Sequence, residues 1–422
     1  MTKVTQLPPV LTNPYMNARF IRLFFIGRHF GHVRFMQVNP SNREVRLVDP
    51  NSVRWFPGHM RKGINQIGSK MINVDVLIEI HDARVPFTGR SEFLLKFGQV
   101  RPHVLLLNKM DLAEPVQDMQ TFRDELVKHS RSFSQNLVDI HFTQLNSPER
   151  QSRLLKRIIR GIPQLAQNVR PQEAFDKEFR SEDESSAIPT ILAMAVGIPN
   201  SGKSTLINAL RGIGRAGSGG AVRVGRNAGQ TRSIGQPVII SKGSSHPLHN
   251  RAHVGQFVYE PQIMMLDTPG ILEPRVRSLP QQLSLCVCGA IDWSVVDQGK
   301  FVNEILVDYL LFWWNHRQRF EYVSVLDLPR PTDSVAELLA RVCAKNRFFL
   351  ASNPNQAWRH PFWSSTEIES LDECRRRHFP RPDTRRAALH LLRLFNQGAF
   401  GRTTFLPSDE EAASSYFVPA TS

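Results

Sequence analysis

The stretch that most constrains the fold is Gly197-Ile198-Pro199-Asn200-Ser201-Gly202-Lys203-Ser204. It follows the apolar run Thr190 to Val196 and leads into Thr205-Leu206-Ile207-Asn208-Ala209-Leu210, so the pattern predicts strand, glycine loop and helix, the setting of a phosphate-binding loop. Gly197 and Gly202 let the backbone turn its N–H groups inward around phosphates, Lys203 adds a point charge near the terminal phosphates, and Ser204 offers a hydroxyl to magnesium. A unit of this kind belongs in an α/β fold, a mostly parallel sheet with helices on both faces.

A second strand-and-loop unit stands upstream. Val104-Leu105-Leu106-Leu107 reads as a buried strand ending in Asn108-Lys109-Met110-Asp111. The Asp111 carboxylate can accept hydrogen bonds from the guanine ring N–H and exocyclic amine, a donor pair that adenine lacks. Asn108 would meet the other edge, and the Lys109 stem would pack over the base. Alone the tetrapeptide is a charged loop with Asp111 as a helix cap; beside a phosphate loop it points to GTP. Thr143, after a third strand from Leu137 to Thr143, is a loose match to the small loop that backs guanine. An ATP-dependent kinase or motor is disfavoured by Asp111.

Downstream, Arg211 to Gly229 is rich in glycine and arginine and ends at Gln230-Thr231-Arg232. Thr231 can bring its hydroxyl and carbonyl to magnesium and the terminal phosphate, ordering that loop only when the phosphate is present. The strand Ile263 to Leu266 then delivers Asp267-Thr268-Pro269-Gly270. Asp267 suits a magnesium-bound water, and the Gly270 N–H suits the terminal phosphate. Where many GTPases carry a water-orienting glutamine, this chain has Ile271. The polar stretch with His246, His249 and His253 reads as a surface loop.

The rest of the chain is read by pattern. Arg61 to Met71, Arg90 to Phe97, Met119 to Ser130 and Gln151 to Ile162 have helical spacing, and Val74 to Ile80 reads as a buried strand. The charged segment near 171–187 reads as a linker. From Leu279 onward Pro280 to Ile291, Phe301 to His316, Ser334 to Asn346 and Arg385 to Asn396 are helical in period, predicting a smaller all-helical domain. Arg375-Arg376-Arg377 there suits phosphate-backbone contact. Residues 406–422 read as a flexible tail.

With 422 residues and a net charge of +15, the surface attracts polyanions, and nucleic acid is the commonest of these in cells. No apolar run reaches the roughly 18 residues a membrane span needs. The four cysteines, Cys286, Cys288, Cys343 and Cys374, read as buried thiols in a reducing compartment. The leader has no Asp or Glu before Glu44 but carries six arginines and lysines ahead of that residue, which resembles a mitochondrial transit peptide over 1–50.

In most GTPases the phosphate loop comes first; here Asn108 to Asp111 precedes it, so the order is a circular permutation. With Trp55-Phe56-Pro57-Gly58-His59-Met60 and Asp82-Ala83-Arg84-Val85-Pro86, the chain resembles the circularly permuted ribosome-assembly GTPases of the YlqF/RbgA type, and its leader points to a mitochondrial branch. The resemblance covers roughly Trp55 to Gly401. It implies a permuted P-loop GTPase domain over 51–275 and a helical RNA- or ribosome-binding domain over 276–405. It implies GTP hydrolysis with Mg2+, held by Ser204, Thr231 and Asp267, and contacts to nucleotide from Asn108, Lys109, Asp111, Thr143, Gly197, Pro199, Asn200, Ser201, Gly202, Lys203, Ser204, Thr205, Asp267 and Gly270. Catalytic roles would fall to His59, Lys203 and Thr231, and Asn200 matches a position associated with K+. The implied partner is the large mitochondrial ribosomal subunit, met by a monomer at the matrix face of the inner membrane. A placeholder that binds rRNA and uses GTP only as a ligand is the alternative that Ile271 keeps open.

Overall fold

The structure is a computed structural model that describes residues 46–48, 58–90, 96, 98–129, 136–167, 189–214, 234–247, 257–272, 278–291, 293, 302–350 and 381–419. In chain order these form β1 (Arg46–Val48), α1 (Gly58–Lys70), β2 (Val76–Asp82), β3 (His103–Asn108), α2 (Met119–His129), β4 (Leu137–Phe142), α3 (Ser152–Gln167), β5 (Thr190–Val196) and α4 (Lys203–Ile213). There follow β6 (Val238–Ser241), β7 (Ser244–Pro247), β8 (Phe257–Glu260), β9 (Gln262–Asp267), α5 (Leu279–Val287), α6 (Val302–His316), α7 (Glu321–Val325) and α8 (Val335–Asn346). The chain closes with β10 (Phe349–Leu350), β11 (Arg381–Pro382), α9 (Thr384–Asn396), α10 (Pro407–Ala413) and β12 (Phe417–Pro419).

The main sheet runs β4-β3-β2-β5-β9-β6. Every neighbouring pair is parallel except β6 with β9, which is antiparallel at the edge. β2 and β3 are buried along their whole length, as central strands covered on both faces must be. β4, at the edge, buries Leu137 and Ile140 while Val138 is exposed. Side-chain alternation then divides the layers: Val76, Ile78 and Ile80 pack under α3 and α4, whereas Leu77 joins Ile67 of α1 and Met71 just after it on the other face. α2 covers that second face further along, its Leu126 packed with Leu105 and Leu107.

The C-terminal region is organised around α6, buried from Asn303 to Asn315 and therefore enclosed on all sides. α5, α8 and α9 pack against it. Side-chain caps start three of these helices: Ser278 accepts from Gln281 N, Ser334 from Glu337 N and Asp383 from Arg386 N. Its apolar core also takes in Met60, Val85, Ile198 and Leu272. The helical region thus packs directly on α1, on the phosphate loop and on the segment after Asp267.

Several expectations are corrected. The C-terminal region is mainly, not wholly, helical, because β10 pairs with β11 and β12 with β1. The stretch expected as a frayed tail forms α10 and β12, with Phe417 buried against Tyr309 and Phe312. Its partner strand, Arg46 to Val48, stands at the other end of the chain, so no local pattern announces the pairing. The stretch read as a surface loop at His246 begins as a strand, since Ser244 to Pro247 pairs with Phe257 to Glu260. The helix expected to reach Ile291 stops at Val287, where Gly289 takes a left-handed φ of 75°. Most of the leader, Trp55 to Pro57, the linker, Thr231, His249, His253 and Arg375 to Arg377 lie outside the described residues. Among the described residues no helix is long and apolar enough to cross a membrane.

Candidate functional site

β5 is the centre of the sheet, and the loop leaving its C-terminal end is where an open parallel sheet binds ligands. Gly197 has φ 152°, and a Cβ there would stand 1.9 Å from Ile80 O, so only glycine lets the loop leave between β5 and β2. Asn200 has a left-handed φ of 57°. Ser201, wholly buried, donates to Ile198 O at 2.9 Å and closes the loop on itself. α4 begins at Lys203, so its free N–H groups face the loop interior, the arrangement that holds phosphate. Thr205 lies in the first turn of α4.

Lys203 Nζ donates to Ile198 O at 2.8 Å and Gly197 O at 3.3 Å, a buried ammonium held by loop carbonyls. Burial pulls its pKa down to about 8, against the opposing pull of Asp267. Ser204 Oγ donates to Asp267 Oδ2 at 2.7 Å. Two hard oxygens meet there beside the loop, a donor pair that suits Mg2+ completed by phosphate and water. The Asp267 to Gly270 turn is pressed onto the loop: a Cβ on Gly270 would lie 2.4 Å from Pro199 Cα, and Ile271 N donates to Gly197 O at 3.1 Å.

The guanine motif reaches the same end of the sheet by way of β3. Asn108 Nδ2 donates to Ser201 O at 2.8 Å, while its Oδ1 accepts from Leu145 N at 3.0 Å and Thr143 Oγ1 at 3.3 Å. One amide therefore ties the phosphate loop, the β3 turn and the Thr143 loop into one unit. That tie stands beside the base contact its sequence position suggests. Gly202 must lack a side chain for this to happen, since a Cβ would meet Asn108 Nδ2 at 2.5 Å. Asp111 is half-buried in the turn just beyond.

Two other expected residues stand in settings the sequence did not foretell. Ile271 is fully buried among Ile67, Met194 and Leu266, facing α1 rather than the loop interior. Asn200 Nδ2 donates to Gly289 O at 2.7 Å, joining the phosphate loop to the segment after α5 and leaving Oδ1 as the side-chain atom that can hold a cation. His59 belongs to the first turn of α1, and its side chain lies outside the described residues. α1 nonetheless packs on the Asp267 turn, because Gly63 lies against Pro269.

Behind the site is a buried charged layer that sequence reading named only as motif letters. Asp82 takes Arg84 through two hydrogen bonds, Nε to Oδ1 at 3.0 Å and Nη2 to Oδ2 at 2.8 Å, and Lys109 Nζ at 2.8 Å. Burial opposes its ionisation, but the two cations outweigh burial and hold the carboxyl well below the usual range. Glu79 pairs with Arg90 at 3.0 Å and His81 at 2.8 Å. Burial depresses the His81 pKa and keeps the ring neutral. The available signal was charged residues emerging from otherwise apolar strands, which are buried only when paired.

Residues 193–311 match the family described as 50S ribosome-binding GTPase. The chain is 32% identical over 377 residues to Mitochondrial GTPase 1 of Aedes aegypti, a match covering 87% of this chain and 96% of that protein. It is 33% identical over 291 residues to Mitochondrial ribosome-associated GTPase 1 of Ictalurus punctatus, covering 69% of this chain and 78% of that one. Against Mitochondrial GTPase 1 of Schizosaccharomyces pombe it is 27% identical, with 69% and 79% covered.

Proposed function

The chain belongs to the P-loop GTPases of the ribosome-binding, YlqF/RbgA superfamily, related to mitochondrial GTPase 1, and from this premise we propose that it hydrolyses GTP as an assembly factor for the large mitochondrial ribosomal subunit. One observation carries the reading. Asn108 holds Ser201, so a guanine-reading turn and a phosphate-binding loop share one site although they come in permuted order along the chain. Asp111 reads guanine, the Gly197 to Ser204 backbone and Lys203 cradle the phosphates, and Gly270 meets the terminal one. Ser204, Asp267 and Thr231 hold Mg2+, which neutralises phosphate charge when bound. Asn200 offers an oxygen to K+.

Ile271 cannot orient water, so hydrolysis by the isolated chain is slow. His59, on the helix that packs against the Asp267 turn, is the candidate group for water, brought in when a pre-ribosomal particle moves α1. The permuted GTPase domain spans 51–275 and the RNA- and ribosome-binding domain 276–405. The names of its relatives and a leader without acidic residues before Glu44 support a mitochondrial location, and in this reading the protein acts as a monomer at the matrix face of the inner membrane.

Single-turnover GTP hydrolysis with and without large mitochondrial subunits tests the proposal. Stimulation by the particle, lost in His59→Ala at unchanged GTP affinity, is the expected result. GTP binding without hydrolysis in either condition would instead favour a placeholder, the reading that the burial of Ile271 supports.

A further inference from the structure

The turn that carries the guanine motif is held from outside by the C-terminal region at a series of points. Thr403 N donates to Leu112 O at 2.9 Å, and Glu114 N donates to Thr404 Oγ1 at 2.9 Å. The Glu114 carboxylate accepts from Arg317 Nη1 at 2.9 Å and Arg319 Nη1 at 2.8 Å. Arg317 in turn donates to Thr404 O at 2.7 Å, closing a ring. A second line runs beneath it. Lys109 Nζ sits on Asp82, Asp82 grips Arg84, and Arg84 Nη2 reaches Cys288 O and Asn396 Oδ1, both at 3.0 Å.

Neither line passes through the phosphate loop or the Asp267 turn. Both end on residues 396–404 or on the helices beside them. Lys109 also has φ 62°, a left-handed conformation that costs a side-chain-bearing residue about 1–2 kcal/mol. A conformation of that kind persists only where its surroundings enforce it. Here the ion pair with Asp82 holds the side chain, while Met110 N donating to Thr143 O at 3.1 Å and Leu112 N to Lys109 O at 2.9 Å hold the turn. Asp82 accepts four hydrogen bonds, three from Arg84 including its backbone N–H and one from Lys109, so losing its charge would leave two cations without their partner.

Resting on the GTPase reading above, we infer that Asp82 and Glu114 are positioning residues for guanine recognition, and that base occupancy and the docking of residues 396–405 stabilise each other. Asp82 sets the Lys109 stem where it covers the base. Glu114 fixes the turn from which Asp111 presents its carboxylate. Coupling through these groups is reciprocal: whatever tightens the C-terminal segment tightens the base, and the base tightens the segment by the same factor. GDP and GTP act alike on this side of the site, because both carry the base. The C-terminal region therefore reads that a guanine nucleotide is present, a signal separate from the phosphate-dependent one at Asp267 to Gly270.

Hydrogen exchange of the full chain with GDP and with inorganic pyrophosphate separates the two signals. GDP is expected to slow exchange at 197–205, 108–114 and 396–405, whereas pyrophosphate slows it at 197–205 and leaves 396–405 unchanged. Glu114→Gln, at a half-exposed position that tolerates change, is expected to weaken GDP binding about 5–10-fold, as loss of charge-assisted hydrogen bonds does. It should remove the GDP effect at 396–405 and leave pyrophosphate affinity unchanged. Asp82→Asn should do the same more strongly. GDP protection that stops short of 396–405, or wild-type GDP affinity in Glu114→Gln, overturns the inference while the GTPase reading stands. A wild-type chain that binds pyrophosphate but prefers no guanine nucleotide overturns both.

Discussion

Gly63, in the middle of α1, faces Pro269 so closely that a methyl group on it would lie 2.7 Å from Pro269 Cγ. The proline ring is stiff and belongs to the turn that follows Asp267, so α1 and that turn fit as one unit. In Gly63→Ala the better helix propensity is worth about 1 kcal/mol, but forcing the contact apart costs about 1–3 kcal/mol. The net expectation is a protein less stable by about 1 kcal/mol, lowering Tm by a few degrees. Particle-stimulated hydrolysis should fall while GDP affinity holds. A raised Tm in thermal denaturation would show that α1 is not seated on the turn.

Ile271→Gln asks whether the missing glutamine can be restored. The side chain at 271 is enclosed by Ile67, Leu77, Met194 and Leu266, and its own N–H is committed to Gly197 O. A glutamine amide there has no partner and would cost about 1–3 kcal/mol. The expected result is lower stability in denaturant and no gain in intrinsic GTP hydrolysis. A several-fold faster intrinsic rate would mean that position 271 reaches the water after all.

How much of this could be read beforehand depends on the range of each interaction. The loop from Gly197 to Ser204 and the turn from Asn108 to Asp111 were legible because strand, loop and helix follow one another within a few residues. The packing of Leu155, Ile158 and Ile162 on one face of α3 was legible from period alone. The roles of Asn108, Asp82 and Arg84 were not, because their partners Ser201, Cys288 and Asn396 lie far along the chain. The same holds for Phe417, whose burial needs β1 and α6 together. Charge on an apolar strand says that a partner exists, but not which one.

Glu410 gives the fold a pH dependence whose sign can be worked out. Its Oε1 accepts from Thr88 Oγ1 at 2.7 Å and Ser284 Oγ at 3.0 Å. Burial nevertheless pushes its pKa up to about 7 from 4.5, with Asp409 adding to the rise. A carboxyl whose folded pKa exceeds its unfolded one holds a proton in the native state. Its contribution is therefore most favourable below the unfolded pKa and is lost as pH rises through the folded one, a swing of about 3 kcal/mol. Glu410→Gln keeps an acceptor for Thr88 and Ser284 but cannot ionise. The variant should match the wild type at about pH 5 and exceed it by about 1–3 kcal/mol at about pH 8. Equal losses at both pH values, read from urea midpoints, would remove Glu410 as the titrating group.

Lys203 titrates in the opposite sense and at the phosphate end. Burial lowers its pKa to about 8 from 10.5. The folded state therefore binds fewer protons than the unfolded chain between those values. Ionisation is disfavoured most below the folded pKa, and stability from this group rises as pH climbs through the window between them. Anion binding works the other way, because phosphate needs the ammonium and restores its charge. Above about pH 8 binding must take up a proton, so affinity should fall roughly tenfold per pH unit once the unliganded amine is neutral. Inorganic pyrophosphate is the probe, and Lys203→Arg controls for the ionisation of the ligand itself. In Lys203→Arg the guanidinium stays charged throughout. That variant should bind more weakly, because Arg does not fit between Gly197 O and Ile198 O, but with no fall between about pH 7 and about pH 9. A wild-type affinity that is flat across that range would show that the buried ammonium keeps its proton without phosphate, and that loop carbonyls alone are enough to hold it charged.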